Sequence, residues 1–174
     1  AMPLFALGFK ENIQEPVQSL KKNLTVRLFS ELLAGKTSDL YNRMIDKGII
    51  NKNFDTEYFN GFGYASLVFS GESNSPFEVR DEIINEIKKM RETGVDSAAF
   101  ERIRRKLYGN MVMSYNDIDE IANEMVDSYF YGIGHFESFD ILSGITSSDI
   151  EDYLKNDLDE TNFALSVIKG ENDK

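Results

Sequence analysis

Apolar residues recur along the chain in patterns that separate strands from helices. Residues 3–9 are apolar at successive positions, which predicts a strand buried on both faces. Residues 17–33 place their apolar side chains on one helical face, and Gly35 is a typical helix stop. Residues 162–169 alternate between two faces and predict the last strand. The chain therefore begins and ends in strands.

A predicted hairpin occupies the middle of the first half, after a short helix that ends at Gly48. Residues 54–58 alternate apolar and acidic positions, as a half-buried strand does. Residues 62–69 form an apolar return strand, which predicts a central place in the sheet. Asn60-Gly61 is a strong signal for the tight turn between the two strands.

Helices dominate the second half of the chain. Hydrogen-bonding side chains at four positions predict helix starts: Ser38, Ser75, Asp96 and Thr146. At Ser75 the segment Ser-Pro-Phe-Glu is a capping box with proline at the first helical position. An amphipathic helix is predicted from the spacing of Ile118, Ile121, Ala122, Met125, Val126 and Tyr129. The element order predicts an α+β fold, with a mainly antiparallel sheet and helices packed on one face.

Composition narrows the classes of protein that this chain can represent. Its 174 residues suit one domain, assigned to residues 3–170, with residues 1–2 as a cloning remnant. The net charge of −11 argues against nucleic acid and against an anionic membrane surface as partners. The absence of cysteine excludes disulfides and thiolate metal ligands and fits a cytoplasmic protein. No apolar run is long enough to span a membrane.

Residues 37–70 carry a family resemblance. Ser38-Asp39-Leu40-Tyr41 follows a long helix and precedes a short helix, a glycine and a hairpin. This order resembles the non-catalytic C-terminal half of insulinase/pitrilysin-type zinc metallopeptidases, whose inverted zinc motif is His-x-x-Glu-His. The resemblance extends over most of the chain. It implies the α/β roll of a metallopeptidase half, a longer two-module parent and a bacterial source.

The catalytic motif of that family cannot be built from this sequence. Two histidines and a distal glutamate hold the zinc there, and the glutamate inside the motif activates water. This chain has a single histidine, His135, which we interpret as a surface residue beyond a helix end. We therefore expect no metal, no cofactor and no catalytic residue in this chain. By resemblance, zinc belongs to a partner, the catalytic N-terminal half-module.

Arg43 is the one candidate substrate-binding residue. The resemblance implies an arginine near Ile45 and a tyrosine near Asn51 that contact the substrate backbone, but neither residue type stands there. Arg43 is the only arginine nearby, and a solvated helix residue is the alternative interpretation. A basic cluster offers an acidic partner a surface, with a solvated helix face as its alternative: Lys88, Lys89, Arg91, Arg102, Arg104, Arg105 and Lys106. Two clusters of acidic residues, at positions 117–124 and 149–152, are interpreted as negative charges near helix N-termini.

Three hypotheses follow for function. The first is the non-catalytic half of a zinc-dependent peptidase, inactive alone, that forms the second wall of a chamber for peptide substrates. The second is a structural or assembly subunit of the same fold without protease activity. The third is an unrelated α+β protein-interaction domain. An upstream His-x-x-Glu-His motif would select the first.

Overall fold

The computed structural model describes residues 2–11, 20–61, 63–132, 134 and 136–170. Within these ranges the strands are β1 (Leu4–Lys10), β2 (Asp55–Gly61), β3 (Tyr64–Glu72) and β4 (Phe163–Ile168). The helices are α1 (Leu20–Ala34), α2 (Asp39–Asp46), α3 (Pro76–Thr93), α4 (Ser97–Ser114), α5 (Ile118–Tyr131), α6 (Glu137–Gly144) and α7 (Ser147–Asn156). None of the described helices is long and apolar enough to cross a lipid bilayer.

The strands form one antiparallel sheet in the order β2-β3-β1-β4. β1 lies between β3 and β4, so the first and last strands of the chain are neighbours. β3 lies between β2 and β1, which confirms the central place predicted for the return strand. The α+β fold with an antiparallel sheet is therefore confirmed.

The core lies on one face of this sheet. Phe5, Leu7 and Phe9 of β1 are buried there, together with Leu67 and Phe69 of β3. The prediction that residues 3–9 are buried on both faces is wrong, because alternate residues of β1 lie on a more exposed face. Half of the surface of Leu4 is exposed, and the next two residues on that face are small. The helices of the described ranges cover only the inner face, and apolar character alone could not show which side they would cover.

The hairpin turn lies two residues later than the sequence predicts. Gly61 pairs with Tyr64 and Asn60 pairs with Ala65, so both predicted turn residues belong to strands. The Asn60 amide donates to Asn23 Oδ1 on α1, which favours an extended conformation at this position. Gly63 takes the left-handed conformation, with φ +82°, and is the glycine that the turn needs.

We expect Gly63→Ala to lower the free energy of unfolding by about 1 kcal/mol, because L residues with a Cβ disfavour positive φ. A Cβ at Gly63 meets no atom within 4 Å, so backbone strain is isolated from crowding. Gly109→Ala is the matched control. It lies inside α4 with open space around it, and it should raise stability by about 0.5 to 1 kcal/mol. Urea unfolding followed by circular dichroism compares them, and equal shifts would contradict the strain argument.

The predicted helix starts hold at all four positions, with one difference in detail. Ser38 accepts from the Tyr41 amide at 3.1 Å, and Asp96 accepts from two amides of α4. Thr146 and Asp149 form a full capping box. The capping box at Ser75 is wrong, since its side chain makes no capping hydrogen bond and its own amide donates to Ser73 Oγ.

α1 is the central helix of the layer above the sheet. It contacts α2, α3, α4, α6, α7 and β2, and its stripe of apolar side chains is buried. The predicted helix began at residue 17, but residues 17–19 lie outside the described residues. Because α1 crosses beside so many elements, residues on its flanks reach both the sheet and the outer helices.

Candidate functional site

Arg43 lies in an ion-pair network between α2 and α3. Its Nε donates to Glu82 Oε2 at 3.0 Å, and Nη2 donates to Glu86 Oε2 at 2.7 Å. Glu82 also accepts from Lys47 at 2.6 Å. Glu82 and Glu86 are one turn apart on α3, so both face the same side of that helix. The guanidinium is thus held by two carboxylates, and a contact between Arg43 and substrate stays a prediction.

The network lowers the pKa of both glutamates. Hydrogen bonding from Lys47 lowers the pKa of Glu82, and the bond from Arg43 adds to this effect against partial burial. Burial opposes ionisation of Glu86, but hydrogen bonds from Lys89 and Arg43 outweigh it and lower the pKa. The hydrogen bond to Glu86 is the largest cause of the raised pKa of Arg43. All three groups are therefore charged at neutral pH.

We expect Arg43→Ala to lower the free energy of unfolding by about 1 kcal/mol or less at pH 7. The Arg43 side chain is 37% exposed, so solvent screens its ion pairs with Glu82 and Glu86. A lowered carboxylate pKa stabilises the fold above the unfolded value of about 4.3, and this contribution is lost as pH falls through the folded values. The difference between wild type and Arg43→Ala should therefore shrink below about pH 4. Urea unfolding at several pH values measures it. Arg105→Ala, on the exposed side of α4, is the control, and an equal loss there would contradict the assignment.

The two positions that the resemblance assigns to substrate contacts have other roles in this chain. Ile45 is partly buried against the core. The Asn51 amide donates to Glu72 at 2.5 Å, and its oxygen accepts from the Asn53 amide. These contacts fix the loop between α2 and β2, and the absence of the substrate-contacting pair implied by the resemblance stays a prediction.

Several cations of the basic cluster bind groups within the fold. Arg104 donates to two carbonyl oxygens at the end of α6, at 2.9 and 3.1 Å. Lys106 pairs with Glu31 of α1 at 2.8 Å. Arg91 donates to the carbonyl oxygens of Leu154, near the end of α7, and of Leu158, just beyond it. The cluster joins helices to one another, and an acidic partner for it stays a prediction.

The acidic groups include the helix caps that the sequence predicts. Asp117 accepts from two amides at the start of α5, and Asp149 completes the capping box of α7 while pairing with Lys21 at 2.5 Å. Glu124 differs, because it accepts from Ser138 Oγ at 3.1 Å and so joins α5 to α6. His135 lies outside the described residues.

A cavity of about 380 Å³ lies between α1, α4, α5 and α6. Arg27 of α1 lines it together with three acidic residues of α5, Glu120, Glu124 and Asp127. Among the described residues, no three histidine, cysteine or acidic side chains are grouped as a metal site. Neither a zinc ion nor a Ser–His pair fits the side chains that line this space, because they supply no imidazole.

Glu11 is the residue of most unusual environment that the sequence analysis missed. Its side chain is 1% exposed, yet it accepts from Tyr153 Oη at 2.5 Å and Tyr58 Oη at 3.0 Å. Lys22 Nζ lies 3.3 Å from it. The sequence did contain a signal for its burial, because Glu11 continues the alternation by which Phe5, Leu7 and Phe9 face the core. Its contacts join β1, β2, α1 and α7 at one point.

Comparisons with known proteins find one matching family model, a relative in sequence and several similar structures. The family model described as the peptidase M16 inactive domain matches residues 2–107. A Bacillus subtilis protein, described as the uncharacterized zinc protease YmfH, is 24% identical over 155 residues, or 89% of this chain. A putative M16-like peptidase from Alicyclobacillus acidocaldarius has a TM-score of 0.87 at 22% identity, over 95% of this chain. The inactive peptidase domain of a putative zinc protease from Bordetella parapertussis has a TM-score of 0.77 at 12% identity, over 97%.

The length of chain matched differs among these proteins. This chain spans 36% of YmfH and 40% of the Alicyclobacillus protein, but 91% of the Bordetella domain. The first two proteins therefore contain much more sequence than the region shared with this chain.

Proposed function

Since the chain belongs to the family of the peptidase M16 inactive domain, we propose that it forms the non-catalytic wall of a peptide-binding chamber in a zinc metallopeptidase. Membership confirms the resemblance to the C-terminal half of these peptidases, and it excludes the hypothesis of an unrelated interaction domain. Peptide as substrate, the cytoplasm as compartment and a bacterial source are parts of this proposal, and the relative from Bacillus subtilis supports the last.

The chemistry of the chain's side chains carries the proposal. One histidine and no cysteine cannot supply the two imidazoles of the family's zinc motif. Carboxylates alone are poor zinc ligands, so the metal does not fit this chain. No catalytic step is assigned to its residues, and hydrolysis belongs to a catalytic half that carries His-x-x-Glu-His.

This domain then contributes shape and charge. A second wall excludes bulk water from a peptide bound on the catalytic half and limits the size of substrate that enters. Its net charge of −11 favours peptides rich in lysine and arginine through electrostatic complementarity.

Hydrolysis by the full product of the native gene tests the proposal. We expect an encoded His-x-x-Glu-His motif outside these 174 residues, and chelator-sensitive cleavage of fluorogenic peptides with basic sequences preferred over acidic ones. The 174-residue chain alone should cleave none of them. Cleavage by this chain alone, or a native product and gene neighbourhood without the motif, would overturn the proposal.

A structural or assembly subunit is the second candidate, and two observations favour it. The fold also occurs in a chain of complex III2 from Candida albicans, with a TM-score of 0.74 at 10% identity. The replacement of the expected arginine and tyrosine at Ile45 and Asn51 agrees with a role without substrate contact. A native product that lacks the zinc motif and forms a stable complex would select this candidate.

A further inference from the structure

The apolar face of α5 points away from the domain. We define the α5 apolar face as Ile118, Ala122, Met125, Val126 and Tyr129, which share one side of the helix at spacings of three and four residues. Ile118 is 82% exposed, Tyr129 81%, Met125 54% and Val126 53%. The amphipathic helix predicted from the sequence is present, but its orientation is the reverse of a core-facing helix.

Polar contacts fix this orientation. Ser128 is the one described side chain of α5 that is buried. Glu124, one turn earlier on the same side, accepts from Ser138 Oγ of α6. Tyr115, just after α4, stacks on Phe136, just before α6, with 5.8 Å between the ring centroids. This contact joins the segments that precede and follow α5. The polar side of α5 thus faces the domain, and the apolar side faces outward.

An exposed apolar helix face of this kind is typical of an interface with another protein surface. The charges around the α5 apolar face indicate which charge the partner surface must carry. Between Lys106 and Lys155 every charged residue of the sequence is acidic, and Asp119 and Asp127 are exposed on α5 itself. A second copy of this chain would bring acidic residues against acidic residues. A complementary partner surface is apolar at its centre and basic at its rim.

We propose that the α5 apolar face is a docking surface for the catalytic half of the peptidase, which meets it with an apolar patch bordered by lysine or arginine. This inference rests on the proposed function and names the surface through which the two halves meet. The longer relatives, of which this chain spans 36% and 40%, leave enough further sequence for a second half. The α5 face extends over the full helix of 14 residues, so it offers a continuous contact about 20 Å long.

Cysteine labelling tests the proposal in the native protein. The 174-residue sequence has no cysteine, so Val126→Cys introduces its only thiol. The maleimide labelling rate at position 126 is measured by mass spectrometry in this chain alone and in the full native product or complex. We expect labelling to be at least tenfold slower in the native protein, and the protection to fall as salt is raised from 50 to 500 mM. Asp152→Cys, at an exposed position of α7, is the control and should label equally in both.

The outcomes separate the docking surface from the proposed function. Equal labelling at position 126 in an active, chelator-sensitive native product would overturn docking at α5 and leave the proposed function in place. Equal labelling in a product without peptidase activity would overturn both. Protection that does not change with salt would overturn the basic rim of the partner surface.

Discussion

Phe69→Ala is expected to lower the free energy of unfolding by about 3 to 5 kcal/mol, a large part of the about 5 to 15 kcal/mol typical of a domain. The Phe69 side chain is fully buried in the centre of the sheet. Its ring packs edge to face on Phe9 at 5.9 Å between centroids and stacks with Phe54 at 6.4 Å. Removing it leaves a cavity that three strands border, and paired strands cannot collapse to fill it.

The measurement is urea unfolding followed by far-ultraviolet circular dichroism. Phe59→Ala is the matched control, because Phe59 lies on β2 of the same sheet but is 45% exposed. We expect its loss to be below about 1 kcal/mol. A similar loss in both variants would contradict the placement of the core on one face of the sheet.

Glu11→Ala is expected to lower the free energy of unfolding by about 3 kcal/mol. It removes the acceptor for the hydroxyls of buried Tyr153 and partly buried Tyr58, and one of the two carboxylates that pair with Lys22. Glu11→Gln keeps the shape and one acceptor oxygen, and it should lose less. The comparison by urea unfolding at pH 7 separates the carboxylate charge from simple filling of space. Equal stability of Glu11→Ala and wild type would contradict the role of this carboxylate in joining β1 to α7.

Tyr153→Phe tests the same network from the donor side. Burial, followed by the negative charge of Glu11, raises the pKa of Tyr153 well above its usual value of about 10. A raised folded pKa stabilises the protein below the unfolded value, and that contribution is lost as pH rises above about 10. Wild type should therefore lose stability more steeply above pH 10 than Tyr153→Phe. The exposed Tyr129→Phe control should keep the wild-type slope, and a shared slope in all three proteins would refute the assignment.

Local patterns predicted the elements well where the signal came from neighbours in sequence. The spacing of apolar residues located the helices, and caps such as Ser38 and Asp96 marked their starts correctly. The hairpin was also predicted, but its turn was placed two residues early. Asn60 and Gly61 have turn propensity, yet pairing with β3 and the bond from Asn60 to α1 keep them in the strand. Strand pairing across many residues outweighs the preference of a dipeptide.

The site was harder to predict, because its residues come together from distant parts of the chain. The sequence contained Arg43, Glu82 and Glu86, but only the packing of α2 on α3 unites them. Glu11 lies 142 positions from Tyr153 and meets it only because β1 and α7 converge. No pattern among neighbouring residues predicts a contact between such distant positions.

The sequence by itself determined the α+β class, the family and the absence of a His-x-x-Glu-His motif from these 174 residues, because composition, periodicity and motif are properties of the chain. Only the tertiary structure decided which side of each element is covered. An amphipathic pattern states that α5 has an apolar face, but not whether that face meets its own domain. The hydrogen bond from Ser138 to Glu124 and the burial of Ser128 place the polar side of α5 against the domain, so its apolar face lies outward. The direction of a helix face depends on the free energy of packing against neighbours that are remote in sequence.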